Sequence, residues 1–229
     1  LVMDPKKYNM KKFIYSEYTV LGTRLVAHFL EIIYGYRQIT NLDEYVASNG
    51  KGFIIIDGDT KDKDALKELY NREDNSRGEF CPILLGTKVI STGYDFKCIR
   101  IVCVFEPQWR DTTIAQVIAR AIRLFSHKNL PIEDRDVKSY IFLATMPKGF
   151  KGNVEPMTTD ESLYELAVLK SEFNETFHHI IKESAIDCTL HHDNNSRPDE
   201  RPIHCRLCPN SRDDSNIIIP PNYIDHIMG

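Results

Sequence analysis

Five short runs are rich in apolar and aromatic residues and show little alternation: Phe13 to Tyr18, Phe53 to Ile56, Ile83 to Val89, Ile101 to Phe105 and Val137 to Ala144. A strand with one wet face alternates apolar and polar residues, whereas a run without alternation buries both faces. Helical patterns lie between the runs. Leu21, Leu25, Val26, Phe29, Leu30 and Ile33 fall on one face, with Gly35 just past the end. Asp62 to Tyr70 follows the turn Asp57-Gly58-Asp59 and points Ala65, Leu66 and Leu69 inward. Thr112 or Thr113 caps a third helix that runs to Leu124. Strands that alternate with helices predict an α/β fold, a parallel sheet covered by helices. No internal repeat is present.

Composition narrows the function. The hydrophobic share of 42% suits one or two globular domains with a real core. A net charge of -4 gives no overall basic footprint, so any nucleic-acid contact must come from a local patch. No apolar run approaches the roughly 20 residues of a membrane span. No signal-peptide pattern opens the chain. Leu1-Val2 stands where an initiator methionine would, so a fragment of a longer protein is expected. Cys81, Cys98 and Cys103 sit in or beside apolar runs and read as buried thiols, which favours a reducing compartment.

The texture changes after Pro147, which divides the chain into residues 1–147 and 148–229. Lys148 to Pro156 is a Gly/Pro/Lys linker. Thr159 or Asp160 caps a long helix with Leu163, Leu166, Ala167, Phe173, Phe177, Ile180 and Ile181 at helical spacing. Past Leu190 the chain is polar and carries Cys, His and Pro. Cys205-x-x-Cys208 has zinc-ligand spacing, and Cys188, His191, His192 and His204 are near enough in sequence to complete a site. A single C-x-x-C is half of a strong signal, and free thiols in a tail explain it as well.

Neither G-x-x-x-x-G-K-[ST] nor G-x-G-x-x-G appears, so the sheet has no phosphate cradle of its own. Asp43-Glu44 follows a polar turn and reads as a helix start rather than a magnesium-holding pair. Two stretches remain. Gly86 to Phe96 runs from a strand into a turn with hydroxyls, Gly93 and Asp95. Gln116, Arg120 and Arg123 stand at i, i+4 and i+7, one face of a helix. The two arginines are aimed at an anion or solvated.

At these residues the chain resembles the second RecA-like lobe of superfamily 2 helicases, in particular the Swi/Snf-like branch. Gln116-Val117-Ile118-Ala119-Arg120-Ala121-Ile122-Arg123 looks like the sixth motif, with Ala119 where glycine is expected. Thr87 through Asp95 looks like the fifth motif, and Phe13 to Tyr18 like the strand of the fourth. The resemblance covers about Lys11 to Ala144. Ser126-His127-Lys128-Asn129-Leu130-Pro131, Asp160 to Tyr164 and Lys182 to Cys188 extend it. Their order is similar to the DNA-dependent ATPases of large cytoplasmic DNA viruses: the poxvirus-type nucleoside triphosphate phosphohydrolase I, the small subunit of the early transcription factor, and their African swine fever virus and giant-virus relatives.

The resemblance implies roles. Arg123 would be an arginine finger, Arg120 a second γ-phosphate contact, and Gln116 would orient the attacking water or bridge to the partner lobe. Gly93 and Asp95 would meet the nucleotide, Asp95 accepting from the ribose or coupling the two ligand sites, though a capping acid accounts for Asp95 nearly as well. Thr87, Ser91 and Thr92 would hold a DNA phosphate, though a turn stabilised by its own hydroxyls accounts for them too. Tyr15, Tyr18 and Trp109 would stack on bases or pack against the other lobe, and His127 and Lys128 would form a basic edge or a plain surface. ATP and Mg2+ would be held mainly by an N-terminal RecA-like lobe outside this chain, so the chain alone would hydrolyse almost no ATP. Zn2+ would belong to the Cys/His tail. The partners implied are DNA, that N-terminal lobe and a viral RNA polymerase or early transcription factor subunit, in the virion and host cytoplasm. The competing expectation is a non-enzymatic docking module for the polymerase or a transcription factor.

Overall fold

Six strands form one sheet, and every neighbouring pair is parallel. In chain order they are β1 (Lys11–Tyr15), β2 (Arg37–Gln38), β3 (Gly52–Ile56), β4 (Ile83–Gly86), β5 (Ile99–Val104) and β6 (Lys138–Ile141). Their order across the sheet is β2-β3-β4-β1-β5-β6. Phe13 lies between Leu84 and Val102, so the most apolar strands occupy the centre. The computed structural model describes residues 10–91, 93–147, 157–196 and 201–205.

Alternate residues of the central strands feed two cores. Phe13, Tyr15, Ile54, Ile56, Leu84, Val102 and Val104 pack with residues of α3 (Lys63–Tyr70) and α4 (Asp111–Ala119). Ile14, Phe53, Ile55, Ile83, Leu85, Ile101 and Cys103 pack on the other face under α1 (Leu25–Tyr34). This is the two-sided burial expected for the runs in β1, β3, β4 and β5, and it is a RecA-like α/β layout. The run from Val137 departs from it, because β6 is the edge strand and Lys138–Ile141 are all exposed. Cys81, Cys98 and Cys103 are free and buried, as expected. Asp43 and Glu44 open α2 (Leu42–Ala47), whose N-terminus is capped by the Asn41 side chain accepting from the Glu44 amide.

Four local expectations are corrected. The strand from Ile83 stops at Gly86, because the Ile90 amide donates to the Thr87 carbonyl and closes a 3-10 turn, Lys88–Ser91. The first helix begins as a π-helical turn, Thr19–Arg24, so its phase differs from a simple α pattern. It buries Ala27 and Leu30 and leaves Leu21, Leu25, Phe29 and Ile33 exposed. Gly22 sets that phase: a Cβ there would stand 2.6 Å from the Ser16 Cβ, so the turn lies flat on the end of β1. On α3, Leu66 and Tyr70 face inward while Ala65 is exposed. Strand β2 was not foreseen, since two polar residues carry no apolar signal.

The described residues fall into two compact units, one up to Val168 and one from Leu169. Helix α5 (Thr159–Ser184) is followed by α6 (His192–Asn195). In the second unit, residues 201–205 lie along these helices. His179 Nε2 donates to the Arg201 and Pro202 carbonyls at 3.2 and 3.1 Å, and the His204 amide donates to Glu183 at 3.1 Å. Cys188 and Cys205 are joined in a disulfide. That corrects the zinc expectation: a bonded pair offers no thiolates to a metal. Cys208 lies outside the described residues. Among the described residues no three or more His, Cys, Asp and Glu side chains converge as metal ligands, His191 included. Nor is any described helix long and apolar enough to cross a membrane.

Candidate functional site

In an open parallel sheet, ligands meet the carboxyl ends of the strands. Here the turns after β1, β4 and β5, with the turn after α4, carry the polar groups. Ser16, just past β1, donates to Glu106 Oε1 at 2.6 Å, and the Glu17 amide donates to Glu106 Oε2 at 3.2 Å. Burial pushes the Glu106 carboxyl up, and these hydrogen bonds only partly offset it. Neither Ser16 nor Glu106 was singled out in the sequence; the only available signal was their place one or two residues beyond a central strand.

Past β4 the chain turns sharply. A Cβ on Gly86 would come 2.0 Å from Ile90 Cδ1, so the 3-10 turn packs directly over this glycine. Thr87 is buried, with its amide donating to the Ile56 carbonyl at 3.3 Å. Ser91 ends the 3-10 turn. Thr92 lies outside the described residues. Gly93 adopts φ +79°, a left-handed conformation that costs glycine little. Asp95 follows at the surface. Asn71, at the end of α3, holds this turn from behind: its Nδ2 donates to the Asp95 carbonyl and its Oδ1 accepts from the Lys97 amide, each at 2.8 Å.

Helix α4 ends at Ala119, not at Leu124. Gln116 is exposed on it, and Arg120 is its half-buried C-cap. Arg123 lies beyond the helix, so the three side chains do not form one helical stripe. The apolar period of Ile122 and Leu124 is overruled by tertiary contacts. Phe125 takes φ +61°, and Ser126 and His127 turn inward. The Cys98 amide donates to the Ser126 carbonyl at 3.0 Å. His127 is 8% exposed, so it is no basic edge; Lys128 is exposed. Tyr15 is fully buried and does not stack on bases, whereas Tyr18 and Trp109 are exposed.

The Arg123 guanidinium nevertheless reaches the site, because its Nη1 pairs with Asp95 Oδ1. Their side chains are 39% and 62% exposed. The turn after β4 and the turn after α4 therefore meet at one acid–arginine pair open to solvent. Among the described residues no group of three or more His, Cys, Asp and Glu side chains stands ready for a metal beside this pair.

A RecA-like lobe with these two motif turns is the class of protein that the fold and site define. Residues 23–125 match the family described as helicase conserved C-terminal domain. It is 33% identical over 203 residues to a putative ATP-dependent RNA helicase of Acanthamoeba polyphaga mimivirus, covering 87% of this chain and 34% of the relative. It is 30% identical over 217 residues to the termination factor NPH-I homolog of African swine fever virus, covering 77% and 30%. A putative helicase of Frog virus 3 is 30% identical over 192 residues, covering 83% and 20%. The chain thus spans about a third or less of these relatives. Among solved structures, the C-terminal part of the Fun30 ATPase domain superposes with a TM-score of 0.48 at 16% identity, over 71% of this chain and 40% of that one.

Proposed function

We propose that this chain is the C-terminal motor lobe of a viral DNA-dependent ATPase, a translocase or helicase acting in viral transcription in the virion and host cytoplasm. Arg123 is its arginine finger, Arg120 a second contact to the γ-phosphate, and Gln116 orients the attacking water. Gly93 and Asp95 border the nucleotide, and Thr87, Ser91 and Thr92 contact the DNA backbone. ATP and Mg2+ are held mainly by an N-terminal lobe. The partners are DNA, that lobe, and a viral RNA polymerase or early transcription factor subunit.

The observation that carries this reading is the open Arg123–Asp95 pair. An exposed ion pair is worth only about 0–1 kcal/mol. Asp95 holds the guanidinium in place at little cost, and a phosphoryl group exchanges for it readily. A fork of permanently charged N–H donors suits that task, and an arginine offered from outside the cradle stabilises charge on the transferring group. The chemistry is positioning and electrostatics, with no covalent step on the protein.

The test is turnover by this chain alone, with DNA present. The expected rate is at least about a thousandfold below that of a two-lobed relative, since the phosphate cradle is missing. Comparable turnover would refute the reading.

A further inference from the structure

We propose that Ser126 and His127 are positioning residues that fix where Arg123 is presented; the proposal rests on the reading of Arg123 as the arginine finger. His127 Nε2 lies 2.6 Å from the Ile99 carbonyl and its Nδ1 2.7 Å from Ser126 Oγ. A carbonyl only accepts, so Nε2 carries the proton and donates to Ile99; in the neutral ring Nδ1 then accepts the one Ser126 hydroxyl proton, being nearer at 2.7 Å than the Ala121 carbonyl at 3.3 Å. The same Ser126 oxygen accepts from the Arg123 amide at 3.3 Å, and the Ser126 amide donates to the Arg123 carbonyl at 3.0 Å. Both polar groups on the Arg123 backbone are thus held by Ser126. Ser126 is held by His127 and by the Cys98 amide, and His127 is held by the first residue of β5.

Both residues are 8% exposed and touch no solvent-facing anion site, so they act through Arg123 rather than on a ligand. The arrangement has a direct purpose. Arg123 stands beyond the end of α4, on a turn that contains the left-handed Phe125, and helix rigidity does not reach it. The buried hydroxyl–imidazole pair replaces that rigidity by tying the turn to the central sheet.

The experiment compares ATP hydrolysis by the full-length gene product with His127→Leu, Ser126→Ala and His127→Gln, each alone and with Arg123→Ala. Amide exchange across residues 121–128 and thermal unfolding are measured on the same proteins. For His127→Leu, kcat falls about tenfold or more while KM for ATP holds within about twofold, as for a misplaced catalytic group. Ser126→Ala gives a smaller fall of the same kind and faster exchange at the Arg123 amide. His127→Gln, which keeps a donor toward Ile99, recovers most of the rate. In the Arg123→Ala background none of the three changes kcat further. Should His127→Leu not fold, Ser126→Ala and His127→Gln carry the comparison. The proposal is overturned if the losses multiply with that of Arg123→Ala, or if Arg123→Ala is crippling while His127→Leu and Ser126→Ala are both fully active. If Arg123→Ala itself is harmless, the finger reading fails and takes this proposal with it.

Discussion

Asp95 and Arg123 face each other across two turns that are far apart in the chain, and their side chains form an ion pair open to solvent. Asp95 is placed by its backbone, which Asn71 clamps on both sides, while Arg123 is placed by Ser126. The pair marks where two rigidly built turns meet, and contributes little to holding them there.

That division of labour is measurable by urea denaturation. Asp95→Asn is expected to change stability by less than about 1 kcal/mol, as for an exposed pair. Asn71→Ala removes two hydrogen bonds to backbone and is expected to cost about 1–3 kcal/mol. An Asp95→Asn cost above that of Asn71→Ala would contradict the account.

A buried lysine gives the fold a pH signature. Lys11 is 1% exposed; its Nζ donates to the Tyr70 carbonyl at 2.6 Å and stands 3.9 Å from the centre of the Tyr70 ring. Burial lowers its pKa from 10.5 to about 8. The unfolded chain keeps this proton to higher pH than the folded one, so between those values Lys11 makes stability rise with pH, by about 3 kcal/mol at most. Burial has the opposite effect on Cys81 and Cys103, raising each from 9.0 to about 12, so they make stability fall above pH 9.0. In Lys11→Met the rise is expected to vanish and the fall to remain. Identical profiles for variant and parent would contradict this.

The described cysteines separate into two chemical groups. Peptide mapping without reductant is expected to recover Cys188 linked to Cys205, with Cys81, Cys98 and Cys103 unreactive to alkylation until unfolding. Reduction is expected to destabilise the second unit by about 2–4 kcal/mol. Alkylation of Cys188 and Cys205 accompanied by release of stoichiometric zinc would reverse the assignment.

The sequence carried the sheet and its helical cover because the signal is local: Phe53-Ile54-Ile55-Ile56 and Ile101-Val102-Cys103-Val104 have no wet face to offer. It did not show where α4 stops, since Ile122 and Leu124 prolong the helical period while Ser126 and His127 end the helix through contacts with Cys98 and Ile99. Nor did it show that Lys11 belongs inside, because its burial depends on the ring and carbonyl of Tyr70. The meeting of Asp95 with Arg123 was illegible for the same reason: each residue type announces charge, and only the folded turns supply the partner.

DNA-stimulated ATP hydrolysis by the full-length gene product carrying Arg123→Ala tests the central claim most directly. The account predicts a loss of about 10³-fold or more in kcat with the protein still folded. Turnover equal to that of the unaltered protein would contradict it.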